Sequence, residues 1–321
     1  MENEAVPLLR PSWLLFVVYP LSASFFWFAY LRGLAPLCHR LIPEQYASFG
    51  EFNARCFRQN LLSGFHTMLS SVCLLSALLN DSGLIFGDTR LYRHESFLLY
   101  LDISMSFGYF SFALPMSVVM ARAGFPYGSH MMIVHHALVA IAQSTFLLTR
   151  YPSGYMAASG FLFELTNLFF IPHIVLIQLR ADCPRLRALI GLLLVLVYTL
   201  ARCITCSALA LQSLADLGRF RPPAASCWLF AVLGLLCFWG LLGISWYWYV
   251  QTILPALHKG LQESCGETYY HACCPAPVRR LLWRRLTREG RASTEDARLA
   301  FKALQELRSE MESVPSSMPA A

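Results

Sequence analysis

Residues 154–179 read GYMAASGFLFELTNLFFIPHIVLIQL, a stretch with no lysine or arginine, one acid (Glu164) and one histidine (His173). A hydrocarbon core about 30 Å thick is crossed by roughly 20 residues of apolar helix, so this stretch is long enough to span a bilayer. An acid at its middle is costly in lipid and marks a helix that faces a protein interior. Outward from it, six more stretches share its length and character: 12–30, 60–79, 97–120, 130–148, 188–212 and 226–255. Pro20 and Pro115 fall inside two of them, where they are expected to kink a helix rather than end it. The opening stretch lacks a basic start and a small-x-small cleavage site, which favours a span over the alternative of a cleaved signal peptide.

Composition points the same way. Of 321 residues, 56% are hydrophobic and only 14% charged, with a mean hydropathy of +0.50. Soluble chains carry about 25% charge, so a membrane protein is expected rather than a soluble enzyme, and so apolar a chain is not disordered over most of its length. The net charge of +6 does not imply a nucleic-acid partner, because ten of the 25 Lys and Arg residues follow residue 258 and most others lie between apolar stretches. Their distribution instead sets orientation. With the N-terminus lumenal, the cytosolic side receives 18 basic residues and the lumenal side six, with Arg202 inside a span. The first loop alone (Arg32, Arg40, Arg55, Arg58) outweighs the N-terminal segment four to one, which predicts a cytosolic C-terminus. Trp246, Tyr247, Trp248 and Tyr249 then form an aromatic belt at the cytosolic face.

Only Cys227 of the 11 cysteines falls near the lumenal edge, so no disulfide framework is expected, and Cys203 and Cys206 read as packing residues inside an apolar helix. The tail differs from the rest. Residues 279–291 hold six arginines interleaved with Leu281, Leu282 and Trp283, a mixture suited to an anionic leaflet. Ser293 and Asp296 open an amphipathic helix with Ala300, Leu304, Leu307 and Met311 on one face, a surface for a protein partner or simply a solvated helix. Cys273 and Cys274 are palmitoylation candidates, and Cys265, His271, Cys273 and Cys274 lack a standard zinc spacing.

The polar residues within the spans are few. Glu164 lies ten residues into its stretch, and Arg202 lies ten residues from the end of the next. At about 1.5 Å per residue both are roughly 15 Å deep. Opposite charges at matched depth on consecutive antiparallel helices are expected to pair, with Asn167 one turn beyond Glu164 adding hydrogen bonds. Two roles are open for this trio: a clamp between two helices, or a polar anchor at the floor of a ligand cavity. His66, His135, His136 and His173 group near the other leaflet, roughly 8–9 Å below its surface by the same rise. Neighbours on a helix point about 100° apart, so His135 and His136 face different partners. One can serve as a base near neutral pH while the other orients it; plain helix-to-helix hydrogen bonding is the alternative. The i, i+4 spacing of a metal site is missing, and no metal is expected.

Read in order, these pieces resemble the TLC-domain family, which includes ceramide synthases, translocation-associated membrane proteins and smaller TLC-domain proteins. The matching residues are Ser63 to His66, Gly108-Tyr109-Phe110, His135-His136, Leu162 to Asn167, and Arg202. Residues 175–180, VLIQLR, are closest to the smaller ceramide-linked branch. The resemblance covers residues 52–255 and divides the chain into an N-terminal segment with the first span (1–51), a TLC domain (52–255) and a basic tail (256–321). It implies an all-α membrane protein of about seven helices, six of them forming a barrel around a central cavity that receives an acyl chain. For the enzyme branch it implies acyl transfer from a coenzyme A thioester to a sphingoid amine, with His135 and His136 as catalytic candidates and no cofactor beyond acyl-CoA as co-substrate. The chain departs from that branch at two places. Many relatives carry an acid where Ala113 stands here, Asp102 lying earlier, and the His-Asp-x-x-Asp pattern of ceramide synthases reads Phe163-Glu164-Leu165-Thr166-Asn167. The altered acids favour a protein that binds acyl lipid and serves membrane lipid homeostasis over the alternative of an N-acyltransferase. A receptor working through its tail is the third reading. Membrane lipids are the expected partners, and the endoplasmic reticulum or Golgi the expected compartment, with the plasma membrane as the alternative.

Overall fold

The computed structural model describes residues 13–81, 84, 90–91, 96–122, 130–180, 183–222 and 224–255. The described residues are helical apart from short connections, with no strand among them. The features expected of the tail, including residues 279–291, the helix opened by Ser293, and Cys265, Cys273 and Cys274, lie outside the described residues.

Among the described residues, seven helices are long and apolar enough to cross a membrane: Leu15–Leu41, Glu51–Asn80, Phe97–Arg122, His130–Thr149, Ser153–Gln178, Arg185–Arg219 and Ala225–Ile253. They are called here the first to seventh spans. The protein is an all-α, integral membrane protein. Pro20 and Pro115 sit inside unbroken helical runs. The largest departures from expectation concern the first two spans: the first continues past residue 30 to Leu41, and the second begins at Glu51 rather than near residue 60. These extra turns are not apolar all round, so a hydropathy reading truncates them. Their apolar side chains bury instead in a cluster of Cys38, Tyr46 and Phe57, joined by the short helix Pro43–Ala47. Glu51 and Arg55 pair on the exposed side of the same turn.

Packing between spans explains how a cavity arises. The second span packs on the third, the third on the fourth, the fourth on the seventh, the seventh on the sixth, the sixth on the fifth, and the fifth back on the second. Six spans thus close a ring, and the first span packs outside it against the third. That outer contact depends on a glycine. A Cβ at Gly108 would stand 2.7 Å from the Ser22 Cβ and 2.8 Å from the Ala23 nitrogen, so only a bare backbone lets the helices approach this closely. Ser22 donates across the gap to the Met105 carbonyl at 2.7 Å, and Phe26 packs edge-on against Tyr109. Outward-facing side chains such as Phe16, Val72, Leu192, Leu211 and Leu229 are exposed and apolar, as hydrocarbon surroundings require.

One end of the ring is pinned by a buried carboxylate. Asp216 accepts hydrogen bonds from the Tyr155 hydroxyl at 2.7 Å and the Gln212 amide at 2.8 Å, and the Arg90 Nε lies 3.7 Å away. The Arg90 carbonyl in turn accepts from the Gly154 amide at 3.0 Å. Fifth span, sixth span and the connection carrying Arg90 are thereby held together.

Candidate binding cavity

The ring encloses a cavity of about 110 Å³, lined by side chains from all six of its spans. Its wall is apolar over much of its area, through Leu74, Ile103, Val139, Met156, Phe238 and Leu241. The polar groups arrive at helical spacing, which is why each span presents several on one face. The second span contributes His66, Thr67 and Ser70; the third contributes Asp102, Ser106 and Tyr109 at i, i+4 and i+7. The fourth contributes His135, and also His136, Val139 and Gln143 at i, i+3 and i+7.

The expected direct pair between Glu164 and Arg202 is replaced by a relay. No ion pair joins them among the described residues. Arg202 donates from Nη2 to the Asn167 Oδ1 at 3.0 Å and to the Phe163 carbonyl at 2.7 Å. Asn167 donates from Nδ2 to Glu164 Oε2 at 3.3 Å, and the Thr67 hydroxyl donates to the same oxygen at 2.7 Å. An amide carries both an acceptor and donors, so Asn167 can satisfy a cation with one end and an anion with the other. Arg202 is 4% exposed, with its guanidinium over the rings of Phe163 and Tyr198 at 5.2 Å each. It sits in a π-helical stretch, Tyr198–Thr205, a widened geometry that is rare and recurs at functional sites.

Three of the four histidines reach the cavity. His66 shares a hydrogen bond with the Ser106 hydroxyl at 2.8 Å and stacks on Tyr109 at 4.2 Å. His136 Nδ1 lies 2.9 Å from the Ser117 hydroxyl. That hydroxyl spends its single proton on the Ala113 carbonyl at 2.9 Å, so it accepts from His136 Nδ1–H and leaves Nε2 as the lone-pair nitrogen. The His135 ring lies 5.5 Å from that of His136 and 5.4 Å from that of Trp248, and its Nδ1 has no hydrogen-bond partner. His173 does not join them. Nine residues separate it from Glu164, half a turn out of phase at 100° per residue, and its ring packs instead over Gly191.

The cavity also holds Asp102, which the sequence names only as lying earlier than the relatives' acid, and Gln143, which it does not single out. Asp102 is 1% exposed, lines the cavity and has an Oδ1 with no hydrogen-bond partner; Gln143 lines it with an unpartnered Oε1. The signal was present in the spacing: Asp102 precedes Tyr109 by two helical turns on the same face. Among the described residues no group of three or more His, Cys, Asp or Glu side chains is placed to hold a metal ion.

The family profile described as the TLC domain matches residues 56–254. A comparison with curated proteins gives no significant match.

Proposed function

The chain belongs to the TLC-domain family, and from that premise we propose that it binds an acyl lipid within its ring of helices and takes part in setting membrane ceramide or phospholipid composition. The observation that carries this reading is the cavity, which combines an apolar wall with a polar belt in a ring otherwise surrounded by lipid. Drug-sized sites measure about 300–1,000 Å³. At about 110 Å³ this cavity takes one portion of a lipid, with the remainder leaving between helices. His135 and His136 meet the ligand from one side, while Glu164, Asn167 and Arg202 anchor its polar part, with His66 in support and His173 outside the cavity. We assign the C-terminus to the cytosol from the arginine distribution and the protein to the endoplasmic reticulum or Golgi; the tail is a surface for a protein partner.

A second reading is favoured by His136. With Nδ1–H committed to Ser117, its Nε2 is the nitrogen able to take a proton, as a base in acyl transfer from acyl-CoA to an amine must. One experiment separates the two. Protein purified in lipid nanodiscs is analysed for retained lipid by mass spectrometry, then supplied with acyl-CoA and a sphingoid amine. Retained lipid without amide product is the expected result. An amide product that disappears in His136→Ala establishes the enzyme instead, and absence of both retained lipid and product overturns the binding reading.

A further inference from the structure

The ionisable residues lining the cavity do not balance. Beside His66, His135, His136 and Tyr109, two carboxylates, Asp102 and Glu164, face it with one guanidinium, Arg202. The Asn167 relay commits Arg202 to Glu164. Asp102 is left over: it forms no ion pair among the described residues, and its Oδ1 has no hydrogen-bond partner. An uncompensated carboxylate is strongly disfavoured away from water, so Asp102 is stable there only once it takes up a proton or a cation.

The side chains that hydrogen-bond Asp102 are hydroxyls. The hydroxyls of Ser70 and Ser106 stand beside its carboxyl group, and both residues are buried. Gln143 brings an amide oxygen with no partner to the same cavity. Asp102 lies five residues from the start of its span and Gln143 six from the end of its own, which places both about 7–9 Å from one end of the ring. His136 is seven residues farther along the fourth span, roughly 10 Å away. The Ser106 hydroxyl, though bonded to His66, keeps a free lone pair, because a hydroxyl has one donor and two acceptor positions. Carboxylate, hydroxyl and amide oxygens are the ligands that hard cations take. The charge count selects the valence: a single positive charge neutralises Asp102, whereas a divalent ion would leave an excess charge in the membrane.

We propose that Asp102, with Ser70, Ser106 and Gln143, forms a site for one monovalent alkali cation at the end of the cavity remote from His135 and His136. This site stands apart from the lipid reading, since it uses the charge that the Glu164 relay leaves over. Its occupation neutralises the wall along which an acyl chain would lie.

The full-length protein in lipid nanodiscs is melted, with tryptophan fluorescence as the readout, in sodium, potassium or choline chloride at equal ionic strength. Sodium is expected to raise the melting temperature over choline. Above the dissociation constant, each tenfold rise in free sodium multiplies the folded-to-unfolded ratio about tenfold. Potassium acting like sodium also supports the site. Asp102→Asn is expected to melt identically in all three salts, and Ser106→Ala to require more sodium for the same shift. Should Asp102→Asn fail to fold, equilibrium binding of radiosodium to the wild type decides, with one ion per chain expected. A wild type that melts alike in sodium, potassium and choline overturns the proposal. So does a melt that follows pH while ignoring these cations, since Asp102 then carries only a proton.

Discussion

Asp216 and Asp102 are buried to nearly the same degree, 4% and 1% exposed, yet the fold treats them in opposite ways. Asp216 is saturated by a phenol, an amide and a guanidinium from three parts of the chain. Asp102 faces a cavity with an oxygen unpartnered. A buried charge that is fully satisfied holds helices in place, whereas one left unsatisfied is stable only with something added. The distinction separates scaffold from site more sharply than burial or charge does, and it predicts different responses to substitution.

The largest effect is expected at the scaffold. Asp216→Ala removes the acceptor shared by Tyr155, Gln212 and Arg90, and breaking a buried pair from one side costs about 3–5 kcal/mol. Asp102→Asn is expected to leave stability unchanged or raised in choline chloride, because it removes an unpaired charge. Equilibrium unfolding in detergent micelles measures both, and equal losses would erase the distinction. Next comes Arg202→Met, which strips Glu164 of its counter-charge while keeping Asn167. A loss of about 2–3 kcal/mol is expected from leaving a buried charged group unsatisfied, and adding Glu164→Gln should recover part of it. Additive losses in that double-mutant cycle would show that the relay does not couple the two charges. Close packing ranks third. A Cβ at Gly234 would stand 2.5 Å from the Pro152 Cδ, so Gly234→Ala is expected to cost about 1–3 kcal/mol through overpacking between the seventh span and the residue that leads into the fifth. An unshifted melt would mean that the contact yields freely. The smallest effect is expected at Ser117→Ala, about 1 kcal/mol for one hydrogen bond, because the His136 ring keeps the Ala113 carbonyl as a hydrogen-bond neighbour. If this variant alters lipid retention as strongly as His136→Ala, the orientation of the ring matters more than its presence.

Much of the fold is legible in the amino-acid sequence alone. Hydropathy located seven spans, and the paired histidines, Glu164 and Arg202 pointed to a wet interior. The spans were cut short at residues 30 and 60 because the added turns are amphipathic and gain their stability from Cys38, Tyr46 and Phe57 packing together. Matched depth correctly brought Glu164 and Arg202 to one level, but depth says nothing of azimuth, and Asn167 occupies the space between them. Azimuth also removes His173 from the histidine group, half a turn away from Glu164 on the same helix. The sequence sets Asp102 aside as lying too early to replace the acid missing at Ala113, because its partners, Ser70 on another helix and Ser106 on its own, give no sign of a shared cavity until the ring closes.

Membrane residence, the number of spans and the identity of the costly residues follow from length and transfer free energy, which are properties of each segment alone. The closed order of second, third, fourth, seventh, sixth and fifth spans, the first span lying outside, and the division of buried acids into one saturated and one needy are properties of no segment. They depend on how each helix is rotated about its axis and on which neighbour meets it, and those variables are settled only when all the spans pack at once.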